Sequence, residues 1–105
     1  MPKQRIRGGA TPAGSTDWQS YEGQMPGIYV DVNTSLAGFT TTAHYVASLA
    51  GKTHHWLTTG GSCIYNPTAT GFRIYVRFWD SSAENMTPEF ANEAEWHITW
   101  VGVED

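Results

Sequence analysis

The dipeptide Trp79-Asp80 places an aromatic ring beside a carboxylate at the end of an apolar segment, a combination that suits sugar binding. A pyranose has one apolar C–H face, on which an indole can stack, and a rim of hydroxyls that carboxylate, amide and guanidinium groups can bind. Arg77, Asn85 and Asn92 supply such groups nearby. The sequence therefore predicts a carbohydrate-binding site of Trp79, Asp80, Arg77 and Asn85. In the alternative interpretation, Trp79 packs under the following loop and Asp80 caps the turn.

Other reactive side chains lack the arrangement that catalysis requires. Cys63 has no nucleophile-elbow motif around it and is expected to be a buried, small apolar side chain, with a reactive or interchain role as the alternative. Gly60-Gly61 is not followed by the Lys-Thr pair or the helix of a phosphate-binding loop. A glycosidase needs two facing carboxyl groups, but the candidates lie in a polar segment where solvation is expected. They are Asp80, Glu84, Glu89, Glu93 and Glu95. The sequence predicts a protein that binds or assembles, and no enzyme.

The 4 histidines do not have the spacing of a metal site. His54 and His55 are adjacent and would point to opposite faces of a strand, and the chain has no His-x-x-x-His or Cys-x-x-Cys pair. One alternative is a three-histidine site on a threefold axis, with His97 or His55 contributed by each subunit. The sequence predicts neither a metal nor a cofactor.

Composition argues against two classes of partner. The formal net charge is −4 and the 6 Lys and Arg residues are scattered, so no basic patch is expected that could neutralise a run of phosphates of a nucleic acid. No apolar run approaches the roughly 18 residues of a membrane-spanning helix, and no apolar segment follows the N-terminal positive charges. Neither a membrane partner nor a secretion signal is expected, although a glycan partner would suit an extracellular or virion-associated protein.

Most of the chain has the patterns of β-strands. Alternating or β-branched and aromatic residues predict strands at 27–33, 43–49, 71–79 and 96–103, and a hairpin of 55–59 and 62–65 around Gly60-Gly61. Residues 80–93 are expected to form a loop with one helical turn at 87–90. Residues 1–16 are rich in Gly, Ala, Thr and Pro without apolar periodicity, which predicts a flexible N-terminal arm. One all-β domain at 17–105 follows.

The last predicted strand is apolar on both faces, with His97, Val101 and Val103 on the face away from Trp96. A single two-sheet sandwich covers only one of these faces, so a neighbouring subunit is expected to cover the other. On the strand at 71–79, the side opposite the core carries Arg73 and Tyr75, which suit stacking and paired hydrogen bonds at an interface. The alternative there is a solvated face. The predicted subunit interface comprises Arg73, Tyr75, His97, Val101 and Val103.

Three segments carry a family resemblance: the run from Pro67 to Phe72, Trp79 at the end of the following strand, and the final run from Trp96 to Glu104. They resemble the Pro-Thr-Gly-Phe-like strand entry, the strand-closing Trp and the Trp-Ile-x-Ile-Glu-like last strand of the H-type lectin domain. The strong part of the resemblance covers residues 62–104. Two positions depart from the family pattern, because Asp80 stands where the family has a sugar-contacting His and Cys63 where it has an Arg.

The resemblance implies a six-stranded antiparallel β-sandwich assembled as a homotrimer. It also implies shallow sites near the subunit boundaries for N-acetylgalactosamine-type or galactose-type glycans, and no catalysis. Three weak sites on one particle would gain avidity wherever they can be occupied together. The alternative hypothesis is a structural trimerisation domain, or the receptor-binding tip of a viral or cell-surface fibre, without sugar binding.

Overall fold

A computed structural model describes residues 4–80 and 86–105. Two antiparallel sheets form the described structure, one with strand order β1-β8-β4 and one with order β2-β3-β7-β5, in which β6 also pairs with β7. The elements are β1 (Arg5–Ala10), β2 (Gln19–Tyr21), β3 (Gly27–Asn33), β4 (His44–Ala50), β5 (Thr58–Thr59), β6 (Tyr65–Thr68), β7 (Gly71–Phe78), α1 (Pro88–Glu93) and β8 (His97–Glu104). The predicted all-β fold with antiparallel sheets is confirmed, but the described chain has eight strands where six were predicted.

Strict alternation along β3 and β7 builds the centre of the larger sheet. The two strands pair with Val30 opposite Ile74, and every second residue of each strand is buried. Side chains of the opposite parity, including Tyr29 and Tyr75, point to the outer face. The apolar periodicity that predicts these strands therefore also separates the core from a surface rich in tyrosine and arginine.

In the smaller sheet, β8 lies between β1 and β4. Ile98 is fully buried on the inner side of β8, and Trp96, just before the strand, is also fully buried. Trp18 joins them by donating from its indole nitrogen to the carbonyl oxygen of Trp96 at 3.1 Å. On the outer side of β8, Val101 is 45% exposed. One face of this sheet is thus the core face of the sandwich and the other is open.

The segment 5–10, which the sequence places in a flexible arm, is a β-strand in the structure. β1 pairs with β8 from Arg5 opposite Glu104 to Ala10 opposite Thr99. Every residue of β1 is exposed, so the pairing depends on the backbone and leaves no apolar period to detect. Gly9 lies under the Trp100 ring, where an added Cβ would come within 2.9 Å of a ring carbon.

The predicted hairpin around Gly60-Gly61 is wrong. Residues 55–57 form a 3-10 turn, and β5 and β6 each pair with β7 and not with one another. Gly60 has φ +98° and lies so close to the Tyr75 carbonyl that a side chain there would collide with it. Cys63 consequently lies in the loop between β5 and β6 and is exposed, contrary to the expected buried position.

The helical turn expected at 87–90 is confirmed as the beginning of α1, where the Thr87 side chain accepts a hydrogen bond from the Phe90 backbone N–H at 3.0 Å. Asn85 and Glu84 lie outside the described residues. In the part of the chain that the structure describes, no helix has the length and apolar character needed to cross a membrane.

Candidate ligand-binding groove

Three tyrosines from three strands meet on the outer face of the larger sheet. Tyr75 of β7 contacts Tyr21 of β2 and Tyr65 of β6, with ring centroids 5.2 and 5.0 Å apart and interplanar angles of 69° and 90°. Edge-to-face contacts of this kind are a preferred geometry of aromatic pairs. Tyr21 is 41% and Tyr65 48% exposed, so both rings keep accessible surface while Tyr75 holds them in place.

The three rings border a groove of about 600 Å³, which we call the tyrosine groove. Its other lining residues include Met25, Cys63 and Asn66 beside the tyrosines, and Arg77 from the end of β7. The walls therefore combine flat apolar rings with hydroxyl, amide and guanidinium groups. Such a mixture of apolar surface and a few convergent polar groups is typical of a small-molecule site.

Arg73 lies on the same face but is already occupied. Its guanidinium donates to both carboxylate oxygens of Asp31, from Nε at 2.6 Å and from Nη2 at 2.9 Å. The hydrogen bond from Arg73 lowers the pKa of Asp31, and the same bond raises the pKa of Arg73. The guanidinium also stacks 4.3 Å above the Tyr29 ring and donates to the Tyr75 hydroxyl at 3.2 Å. Arg73 therefore contacts Tyr29 and Tyr75 within the chain and helps to fix their positions.

Arg77 differs from Arg73 although both point to the same face of β7. Its only described side-chain hydrogen bond runs from Nη1 to the carbonyl oxygen of Phe78 at 3.3 Å. Within residues 4–80 and 86–105, no carboxylate lies within 4.0 Å of its guanidinium. In the described part of the chain, no carboxylate pairs with the positive charge that Arg77 brings to the tyrosine groove.

The structure only partly brings the four predicted sugar-binding residues together. Arg77 lines the tyrosine groove, whereas Trp79 and Asp80 follow in a turn after β7. Trp79 is 65% exposed, and its backbone N–H donates to the Leu57 carbonyl at 3.1 Å. Asn85 cannot be placed, since it lies outside the described residues. The predicted stacking platform, Trp79, is therefore an exposed indole that is not part of the groove lining.

The five predicted interface residues lie on two different surfaces. Arg73 and Tyr75 belong to the outer face of the larger sheet, beside the tyrosine groove. His97, Val101 and Val103 are on the outer face of the smaller sheet. The two sheets pack core to core, so these outer faces point away from each other. One contiguous interface patch cannot contain both sets.

The outer face of the smaller sheet exposes a cluster of aliphatic side chains. Val46 is directly opposite Val101, and Ile6 is opposite Val103. Val46 is 73%, Ile6 57% and Val101 45% exposed. We call Ile6, Val46, Val101 and Val103 the valine face.

Metal-binding side chains are not clustered in the described part of the chain, where no three His, Cys, Asp or Glu residues are close enough to hold an ion. His97 is engaged locally, with its Nδ1 2.7 Å from the Glu95 carbonyl oxygen.

No family model, curated protein or solved structure matches this chain. The tyrosine groove and the valine face are therefore the features from which a function can be inferred.

Sequence reasoning missed Tyr21, Tyr65 and Met25 as groove residues. The only signal was the outward position of Tyr29 and Tyr75 on two predicted strands, which indicates an aromatic surface without locating its partners. Tyr21 lies in a strand of 3 residues, too short for periodicity, and Tyr65 was assigned to the incorrect hairpin.

Proposed function

We propose that this protein is a carbohydrate-binding module without catalytic activity, and that the tyrosine groove is its site. The observation that carries the proposal is the group of three tyrosines around a groove of about 600 Å³, two of them with exposed rings. Each ring offers a flat surface for the apolar face of a sugar, and each phenol a hydrogen-bonding group for its hydroxyls.

The rigidity of the groove supports the same function. Tyr75 is fixed by β7, and the pairings Tyr21 with Gly27 and Tyr65 with Arg73 attach the neighbouring rings to the same sheet. Rings held in place before binding lose little conformational freedom when a ligand arrives, which favours recognition of small polar molecules. Trp79, the predicted stacking platform, follows Arg77 by two residues and is 65% exposed, so its indole is available to a ligand.

A screen of the intact protein against an array of glycans tests this proposal. We expect a cluster of related glycans to bind, and Tyr65→Ala or Tyr21→Ala to remove that binding while the protein remains folded, as shown by a cooperative thermal transition. Tyr65→Phe keeps the ring and should retain part of the affinity, while Leu36→Ala, a fully exposed side chain outside the groove, should retain all of it. An array without a single binding glycan would reject the proposal.

The second candidate function is structural trimerisation, as in the tip of a viral or cell-surface fibre. It is favoured by the valine face, because three of its apolar side chains are 45% to 73% exposed on adjacent strands. Exposed apolar patches on a sheet often mark contacts with another subunit. A homotrimer through this face would leave the tyrosine groove open, so the two functions are compatible and a trimer would be a multivalent lectin-like particle.

The mass in solution distinguishes these possibilities. We expect sedimentation to give a trimer that Val46→Lys or Val101→Lys converts to a monomer, whereas Leu36→Lys leaves the assembly intact. A trimer that binds no glycan would favour the structural candidate. A stable monomer at high concentration would reject trimerisation through the valine face and leave glycan binding to be decided by the array.

A further inference from the structure

The charge lining the tyrosine groove is unusual for this chain. The protein has a formal net charge of −4, yet among the described residues lining the groove Arg77 alone is charged at neutral pH. The lining contains no Asp or Glu from the described chain. Arg77 has no carboxylate partner among the described residues, so the groove favours anions, and the partly buried position of Arg77 limits screening by solvent.

Arg77 and Arg73 lie on the same face of β7 but have different cross-strand neighbours. Arg73 is paired across the strands with Asp31, which neutralises it through two hydrogen bonds. Arg77 is paired with Thr59 on β5, while on the β3 side an added Cβ at Gly27 would lie 3.1 Å from the Arg77 Cβ. Thr59 and Gly27, the cross-strand neighbours of Arg77, are uncharged. β7 therefore carries one arginine that is paired with a carboxylate and one that pairs with no carboxylate of the described chain.

We infer that the tyrosine groove selects sugars that carry a carboxylate, such as uronic acids, and that Arg77 is the residue that recognises the acid group. This inference rests on the proposed carbohydrate-binding function and specifies its ligand class. The planar guanidinium can donate two parallel hydrogen bonds to a carboxylate, which a neutral hydroxymethyl group cannot accept in the same way. The tyrosine rings then contact the apolar face of the sugar.

The test compares matched sugars by isothermal titration at low salt, with glucuronate-terminated and glucose-terminated disaccharides as the first pair. We expect the acidic member to bind about tenfold more tightly, the size of effect typical of one charge-assisted hydrogen-bond pair. Arg77→Gln should abolish this difference, because it should lower the affinity for the acidic sugar more than the affinity for the neutral one. Arg7→Gln removes the same charge from an exposed position on β1, outside the groove, and should preserve the preference.

The possible outcomes separate this inference from the function on which it rests. Equal affinity for the two members of the pair would overturn the carboxylate preference but leave carbohydrate binding in place. Absence of binding by acidic and neutral sugars alike would reject both proposals. A third arm with a sulfated disaccharide is expected to bind less tightly than the carboxylate, and tighter binding of the sulfate would also overturn the inference.

Discussion

The phenolic hydroxyl of Tyr45 donates a hydrogen bond to the carbonyl oxygen of Thr68 at 2.7 Å and so links β4 of one sheet to β6 of the other. Because the phenol has a single proton, the buried Thr34 hydroxyl, 2.8 Å away, must be the donor in its own bond to Tyr45. The Tyr45 ring also packs against Phe72, with the centroids 4.6 Å apart. This residue connects the polar and apolar parts of the sandwich core.

Tyr45→Phe should therefore destabilise the protein. The substitution keeps the ring but leaves the Thr34 hydroxyl buried without its acceptor, a loss expected to cost about 1–3 kcal/mol in the free energy of unfolding. Urea denaturation monitored by tryptophan fluorescence measures this change. Tyr65→Phe is the matched control, since Tyr65 is 48% exposed and should tolerate loss of its hydroxyl. Equal stability of the Tyr45 variant and the parent would show that the bond to Thr68 does not stabilise the fold.

Glu104 should make stability depend on pH. Its Oε2 accepts hydrogen bonds from the backbone and hydroxyl groups of Thr40 and Thr41, and those of Thr41 contribute most to lowering the pKa of the carboxyl below its ordinary value of 4.5. A carboxyl with a lowered folded-state pKa stabilises the protein above its unfolded-state pKa, and this contribution is lost as the pH falls through the folded-state value.

The pH dependence of Glu104→Gln checks this assignment. Between pH 7 and pH 3, the variant should lose less stability than the parent, measured as the shift of the urea midpoint. Asp31→Asn is the comparison, because the pKa of Asp31 is also lowered, by Arg73, but the Asp31 side chain is exposed and solvent weakens its ion pair. Identical pH profiles for the parent and Glu104→Gln would contradict the role given to Glu104.

Gly60 and Gly14 form a matched pair for testing the close approach of the Gly60 backbone to the Tyr75 backbone beside the groove. Both have positive φ, +98° and +81°, so alanine at either position is strained. Only at Gly60 would the added methyl group collide with the Tyr75 backbone; at Gly14 the nearest atom is 4.0 Å away. Gly14→Ala should cost about 1 kcal/mol and Gly60→Ala clearly more, as measured by thermal unfolding. The reverse order would show that the backbone at Gly60 yields easily.

Gly9→Val tests whether β1 is a strand and not a flexible arm. A side chain at Gly9 would press against the Trp100 ring, so β1 should separate from β8. The measurement is hydrogen exchange at the backbone amides of residues 5–10, which should be protected in the parent and lose protection in the variant. Ala10→Val, opposite the exposed Thr99, is the control and should keep the protection. Rapid exchange in the parent would instead support a mobile segment.

The parts of the fold that follow from sequence are those in which burial alternates along one strand. β3 and β7 bury every second side chain, and their apolar periods place them correctly. β1 could not be found in this way, because backbone pairing alone attaches its exposed residues to β8. β5 and β6 were predicted to pair with each other because Gly60-Gly61 resembles a hairpin turn. In the structure each of them pairs with the longer strand β7.

The candidate site was predictable only in part. Arg77 was identified from its position before Trp79-Asp80, and it does line a groove. Tyr21 and Tyr65, which line the same groove, are 56 and 12 residues away from Arg77 in the chain. They come to the groove only through the pairing of β2 with β3 and of β6 with β7. Contacts made by sheet order in this way leave no local pattern in the sequence.

The pairing of Arg5 with Glu104 brings both ends of the described chain to one corner, where the Gln4 side chain also donates to that of Asp105 at 3.2 Å. That corner adjoins the Thr40–Thr41 loop beyond the C-terminal end of β3, whereas Gly27 at its other end lines the tyrosine groove. A bead, sensor chip or fusion partner tethered through either end would accordingly hold the molecule with its groove turned outward. Immobilisation through either end should leave the tyrosine groove equally accessible.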